Sequence, residues 1–234
     1  MYPAGPLYQH PQPNPSPIEG EGLQATHLLR LLTWLSPAFP VGAFAYSHGL
    51  EQAIRDGAVT DQHGLANWIS ALVTHGSAWT DAVLFRAAWA APDDAALDEL
   101  AELAEALAPA LERRRETLSQ GEAFSAAVRP WLDLPALPYP VAVGATAGRL
   151  DIPAAAALTA WLHAFCANLV SVAVRVVPLG QTQGVATIAA LEPVILAAAA
   201  RGACSTLDNL GSASMLSDIA AMRHETLQPR LFIS

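Results

Sequence analysis

The stretch AYSHGLE, residues 45–51, concentrates the side chains with the most obvious chemistry. Ser47 sits two residues before Gly49 and two after a small residue, as in a G-x-S-x-G nucleophile elbow with alanine in the first glycine position. A hydrolase built on Ser47 would need an acid and a base, for which Asp208 or Asp218 with His224 are the formal candidates. Within the same stretch, His48 and Glu51 are three residues apart and would share one face of a helix, the spacing that helix bundles use for metal ligands. A metal site needs several such groups converging. The other nearby histidines are His63 and His75, and no second Glu-x-x-His pair exists. A polar helix face or helix-end contact is therefore the favoured reading of His48 and Glu51. His224-Glu225 reads as part of a surface helix, and Arg113-Arg114-Arg115 as a solvated face or a pairing partner for Glu112 and Glu116.

An elbow is catalytic only where a strand runs into the turn, with parallel neighbours around it. Here Pro37 and Pro40 precede the turn, which spoils a central strand. The rest of the chain shows no βαβ rhythm and no run of strict alternation. Helical periodicity dominates instead. Leu28, Leu31, Leu32 and Leu35 form a stripe that stops at Ser36-Pro37. A short helix is expected around Leu50–Ile54, ended by Gly57. Thr60 or Asp61 is expected to cap a helix through Trp68, Leu72 and Val73, and Thr80 or Asp81 the next, through Leu84, Phe85 and Trp89. Leu97, Leu100, Leu103 and Leu107 make an apolar stripe after Pro92-Asp93-Asp94. Further helices are expected from about Leu111 to Trp131, from Pro140 to Gly148, and after Pro153. Val170 to Val177 continues that last stripe and reads as helix. The fold class is all-α: a single-domain bundle of roughly eight to ten helices.

Composition narrows the function classes. The chain has 234 residues, 53% of them hydrophobic, enough for one core without a second domain. Its formal charge of −9 argues against nucleic acid as a partner. All 12 basic residues are arginine, so a lysine-based phosphate loop or Schiff base is excluded. Cys166 and Cys204 are too far apart for a C-x-x-C pair, and Cys166 reads as a buried thiol. With no histidine or cysteine cluster, no metal ligand is assigned. Residues 1–22 hold six of the 18 prolines and read as a flexible tail without a signal-peptide pattern. Residues 152–174 lack Asp, Glu, Lys and Arg, but His163, Asn168 and the alanines suit a buried bundle helix better than a membrane span.

Read at greater length, the same residues resemble a family signature. Residues 35–51, LSPAFPVGAFAYSHGLE, are similar to the S-P-x-x-P-[VI]-G-x-[FY]-x-[YH]-S-x-G-L-E pattern of the urease accessory protein UreF family. Val176-Val177-Pro178-Leu179-Gly180-Gln181-Thr182 resembles that family's R-L-V-P-L-G-Q-T block and is followed by Leu191-Glu192-Pro193. Leu210-Gly211-Ser212, Ala221-Met222-Arg223-His224-Glu225-Thr226 and Arg230-Leu231-Phe232 complete the order. The resemblance spans about residues 24–234. Departures are Leu227-Gln228-Pro229 where the family commonly has Q-Y-S, Ile233 in place of a last arginine, and Gln183 in place of an acid.

The resemblance implies an all-α, homodimeric, cytoplasmic protein that is not an enzyme and carries no cofactor of its own. It implies binding to the accessory protein UreH (UreD), recruitment of the GTPase UreG, and nickel delivery to apo-urease by the assembly. It also makes Ser47-x-Gly49 part of a structural loop rather than a catalytic turn. On this reading residues 23–226 form the domain and 227–234 a C-terminal tail that docks on a partner, anchored by Leu231 and Phe232. Phe44, Tyr46, Glu51, Arg230, Leu231 and Phe232 are the expected partner contacts. Pro37, Pro40, Gly42, Ser47 and Gly49 shape the signature loop. Pro178, Gly180, Gln181 and Thr182 separate two helices, with Thr182 as an N-cap candidate.

Overall fold

The computed structural model describes residues 24–177 and 179–234. The proline-rich segment 1–22 and Pro178 lie outside the described residues. Ten α-helices follow in chain order: α1 (Ala25–Trp34), α2 (Leu50–Arg55), α3 (Gln62–His75), α4 (Ser77–Trp89), α5 (Asp94–Ala106), α6 (Leu111–Val128), α7 (Tyr139–Arg149), α8 (Ala154–Val176), α9 (Gln181–Ala203) and α10 (Met215–His224). Single 3₁₀ turns occupy Ala43–Ala45 and Leu207–Asn209. Among the described residues there is no strand, and the protein is all-α.

Local chemistry explains several helix starts. Asp61 accepts from the Gly64 N–H at 2.8 Å and Asp93 from the Ala96 N–H at 2.9 Å, so each satisfies a donor the first turn leaves free. Pro140 stands in the first turn of α7, and Pro153 immediately precedes α8. The start of α4 differs from expectation. It begins at Ser77 without a side-chain cap, so Thr80 and Asp81 lie inside the helix. Asp81 is mostly buried and faces Arg113. The α9 start also differs: Gly180 is the N-cap, and the Gln183 side chain reaches back to its N–H at 2.9 Å, leaving Thr182 within the helix.

The core gathers around α4, α7 and α8. The α4–α7 contact is a backbone-to-backbone approach that only glycine permits. A Cβ on Gly144 would lie 2.3 Å from the Phe85 carbonyl oxygen, and one on Gly148 would lie 2.1 Å from that of Trp89. The four-residue spacing puts both on one face of α7. In α8, Leu158, Trp161, Leu162, Cys166 and Leu169 are buried against neighbouring helices, which accounts for its long apolar run. Helices α8 and α9 are long and apolar enough to cross a membrane by length and composition alone, and α8 serves as the central core helix. Burial lifts the Cys166 thiol to about 12.

Two stripes are narrower than their spacing predicts. Helix α1 buries Leu31 and Trp34, while Leu28 and Leu32 are exposed, because this helix touches the body along one edge only. Helix α5 buries Leu97, Leu100 and Ala104 and ends before Leu107.

Candidate functional site

The signature loop, α2, the first turns of α6, the end of α10 and the C-terminal residues meet in one buried polar centre built on three carboxylates. Glu51, in the first turn of α2, is 2% exposed. It accepts from the Leu231 N–H at 2.9 Å and the Phe232 N–H at 3.0 Å. Its Oε2 also lies 3.2 Å from His224 Nε2. Glu112, in the first turn of α6, lies 2.7 Å from the other ring nitrogen of His224 and pairs with Arg230.

One turn further along α6, Glu116 takes four donors. Arg113 Nη1 is at 2.5 Å, Ser234 Oγ at 2.6 Å, His48 Nε2 at 2.9 Å and Gln120 Nε2 at 3.0 Å. Burial alone would raise this carboxyl, but Arg113 and His48 outweigh it and hold Glu116 at about 2. Burial lowers the pKa of His48, with Arg113 adding to the effect and Glu116 opposing it. Because Glu116 is ionised, His48 presents Nε2–H to it. Asp81, 3.5 Å from Arg113, is raised by burial to about 6 despite that cation.

The tail is laid along the signature loop by its backbone. The Ile233 N–H donates to the Ala45 carbonyl at 2.8 Å, and the Ser47 N–H donates to the Ser234 main-chain oxygen at 2.6 Å. The Ser47 hydroxyl donates to that same oxygen. Phe232 is buried, with the Arg175 guanidinium 5.6 Å from its ring centre. Arg55 donates to the carbonyls of Gln228 at 3.3 Å and Pro229 at 2.6 Å, so the departure at Leu227-Gln228-Pro229 keeps main-chain anchors. Gly49 makes the whole approach feasible. Its φ is +74°, and a Cβ there would sit 2.7 Å from the Ala221 nitrogen of α10.

This geometry revises several sequence readings. Residues 230–234 pack on the body through bonds to Glu51, Glu112 and Glu116. His224 is 0% exposed rather than on a surface helix, because α10 turns its last residue toward α2 and α6. Arg113 is buried with Glu116, whereas Arg114 pairs with Glu105 at the surface. His48 does not share a helix face with Glu51. It precedes α2 at a φ of +53° and points to Glu116. Ser47 is fully buried, its proton is directed to a main-chain oxygen, and neither His48 nor His224 faces it, so a serine nucleophile has no base here.

The structure brings Ser47, Gly49, Glu51, Arg230, Leu231 and Phe232 together. Tyr46 is half-buried, and its carbonyl accepts from Asn168 at 3.2 Å. Phe44 is largely exposed, with its carbonyl taken by Arg175 at 3.3 Å. Gly42 has a φ of +70°, and Pro37 and Pro40 are exposed in the same loop. Gly180 caps α9, Gln181 and Thr182 lie in its first turn, and none of the three takes part in these bonds. The sequence reading gave Glu112 and Glu116 no role beyond pairing with the arginine run. Their four-residue spacing, which puts two acids on one face of α6, is the signal that was available. Among the described residues no group of three or more His, Cys, Asp or Glu side chains is placed to hold a metal ion.

The site is thus a buried carboxylate centre of an all-helical body, with the C-terminal residues bonded to it. Comparison with known proteins gives the family. Residues 59–192 match the UreF family model. The chain is 52% identical over 216 residues to urease accessory protein UreF 1 of Brucella canis, covering 89% of this chain and 95% of that one. It is 51% identical over 214 residues to urease accessory protein UreF of Agrobacterium fabrum, covering 88% and 96%. It is 54% identical over 207 residues to the UreF of Cereibacter sphaeroides, covering 88% and 97%. The chain belongs to the UreF family of urease accessory proteins.

Proposed function

We propose that this chain is a non-catalytic scaffold of urease maturation. In this reading it binds a UreH (UreD) partner in the cytoplasm as a homodimer, and the pair recruits the GTPase UreG. The assembly then inserts nickel into apo-urease, with nickel as cargo rather than a resident cofactor. The observation that carries the reading is the near full-length likeness to urease accessory proteins.

The surface around the carboxylate centre is consistent with a docking role. The tail alternates: Phe232 and Ser234 point inward, while Leu231 and Ile233 are 72% and 52% exposed. Phe44, on the loop the tail lies along, is exposed as well. Exposed apolar side chains grouped in this way mark interaction sites. Glu51 then acts indirectly, by holding the backbone of Leu231 and Phe232 so that the outer side chains are presented in order.

The test is co-expression with the UreH-like and UreG-like proteins of the same source, followed by the mass of the purified species. A complex containing all three, with two copies of this chain, is expected. A lone helical protein that ignores both partners would overturn the reading. Deleting residues 230–234 is expected to weaken binding to the UreH-like partner, and unchanged affinity would remove the tail from the interface.

A further inference from the structure

A second concave surface lies away from the carboxylate centre, where the end of α3, the start of α4 and the end of α9 meet the segment 205–213. It is an open groove of about 780 Å³. Its lining includes Thr74, His75, Trp79, Arg201, Ser205 and Ser212 but no Asp or Glu. The chain as a whole carries a formal charge of −9, so a lining with a guanidinium and no carboxylate runs against its average.

Arg201 is fixed in place there. Its guanidinium carbon lies 3.5 Å from the centre of the Trp79 ring, and Nη2 donates to the Thr74 carbonyl. Trp79 is itself 7% exposed, and its indole N–H donates to the Asn209 carbonyl at 3.0 Å. A guanidinium already held by a ring and a carbonyl loses little further freedom on binding. Arg113, Arg114, Arg149, Arg223 and Arg230 each meet a carboxylate, whereas among the described residues none lies within ion-pair distance of Arg201. Partial burial against the groove walls lowers the Arg201 pKa. A cation that gives up water without gaining a counter-ion is stabilised by an anion brought to it.

The other polar groups decide which anion. The hydroxyls of Thr74, Ser205 and Ser212 donate to the Ser70 carbonyl at 2.6 Å, the Gly202 carbonyl at 2.7 Å and Asp218 Oδ2 at 3.4 Å. Their protons are committed, which leaves the rest of the Arg201 fork and the exposed His75 ring as donors. One fixed cation matches one negative charge, and a dianion would bring its second charge near Asp218. The planar fork of an arginine fits the two oxygens of a carboxylate.

We propose that this groove binds a carboxylate, held by the free N–H groups of Arg201 and by His75. The site stands independently of the scaffold role.

The experiment follows the Trp79 indole N–H resonance of the purified full chain, assigned with Trp79→Phe. The titrants are sodium propionate, propionamide, and sodium chloride at matched ionic strength. Propionate is expected to bind about tenfold more tightly than propionamide, the discrimination supplied by one charge-assisted pair. Arg201→Gln is expected to bring the two affinities together. Ala213→Asp adds a carboxylate to the lining while keeping Arg201. It is expected to abolish propionate binding and leave the helical circular dichroism unchanged. N-acetyl-L-glutamic acid α-amide separates the sources. Tighter binding than propionate assigns the groove to an acidic side chain of a docked protein, and equal or weaker binding assigns it to a free small carboxylate. The proposal is overturned if propionate binds no better than propionamide, if chloride shifts the resonance equally, or if Arg201→Gln keeps the parent's preference.

Discussion

The α4–α7 seam and the carboxylate–tail centre are both buried, yet they hold by opposite means. The seam is backbone against backbone, with Gly144 and Gly148 removing every atom that would separate the helices. Among the described residues no ion pair joins α4 to α7. The tail centre is held by acceptor oxygens of Glu51, Glu112 and Glu116 together with main-chain bonds to the signature loop. Buried ion networks contribute little net stability compared with apolar packing, but removing one member is costly. The seam therefore sets whether the molecule folds, and the carboxylates set where its last residues lie.

Breaking the seam should have the largest effect. Gly144→Leu places a side chain where the Phe85 carbonyl stands, and overpacking of this kind is expected to cost about 3 kcal/mol or more in denaturant unfolding. The loss should be the same at any pH where the chain folds. Glu51→Gln should be milder and local. It leaves His224 and two tail amides with a weaker acceptor, an expected cost of about 1–3 kcal/mol. Hydrogen exchange should quicken at Leu231 and Phe232 while the core amides of α4 and α7 stay protected. Equal quickening in both regions would collapse the distinction between them.

Acid sharpens the contrast further. Glu116 sits at about 2 in the folded chain against an ordinary 4.5, so its stabilisation is fully present above 4.5 and fades as pH falls toward 2. Asp81 runs the other way. Raised from 3.8 to about 6, it favours folding when protonated, and that contribution is lost as pH rises through 6. Unfolding free energy measured from pH 5 down to pH 2.5 should fall less steeply in Glu116→Gln than in the parent. A parallel slope would mean that other carboxyls dominate the acid response. The smallest expected effect is that of Leu231→Ala. Its side chain is exposed, so stability should change by about 0.5 kcal/mol or less. If the tail presents this residue to a partner, affinity for that partner should fall nonetheless.

Most helices were legible because their signals are near neighbours in the chain. Asp61, Asp93 and Pro153 stand one turn or less from the groups they organise, and Leu97 and Leu100 share a face by spacing alone. Legibility failed where burial decided the outcome. Leu28 and Leu32 have the same apolar character as Leu31, but only the edge of α1 that meets the body is covered. Asp81 has the composition of a cap, yet tertiary pairing with Arg113 places it inside α4. Glu51 was legible as an acid in a signature, whereas the residues it holds lie 180 positions away.

By itself the sequence determined the helical class, the caps at Asp61 and Asp93, the breaks that divide the chain, and the glycines that shape the signature loop. Those outcomes rest on backbone conformation and on spacing within a few residues. Only the tertiary structure decided that His224 is buried, that Arg113 faces Glu116 rather than water, and that Phe232 turns inward while Leu231 turns out. The physical reason is that the preferred state of a charged side chain depends on which opposite charge and how much water surround it once distant segments meet, and no local pattern carries that information.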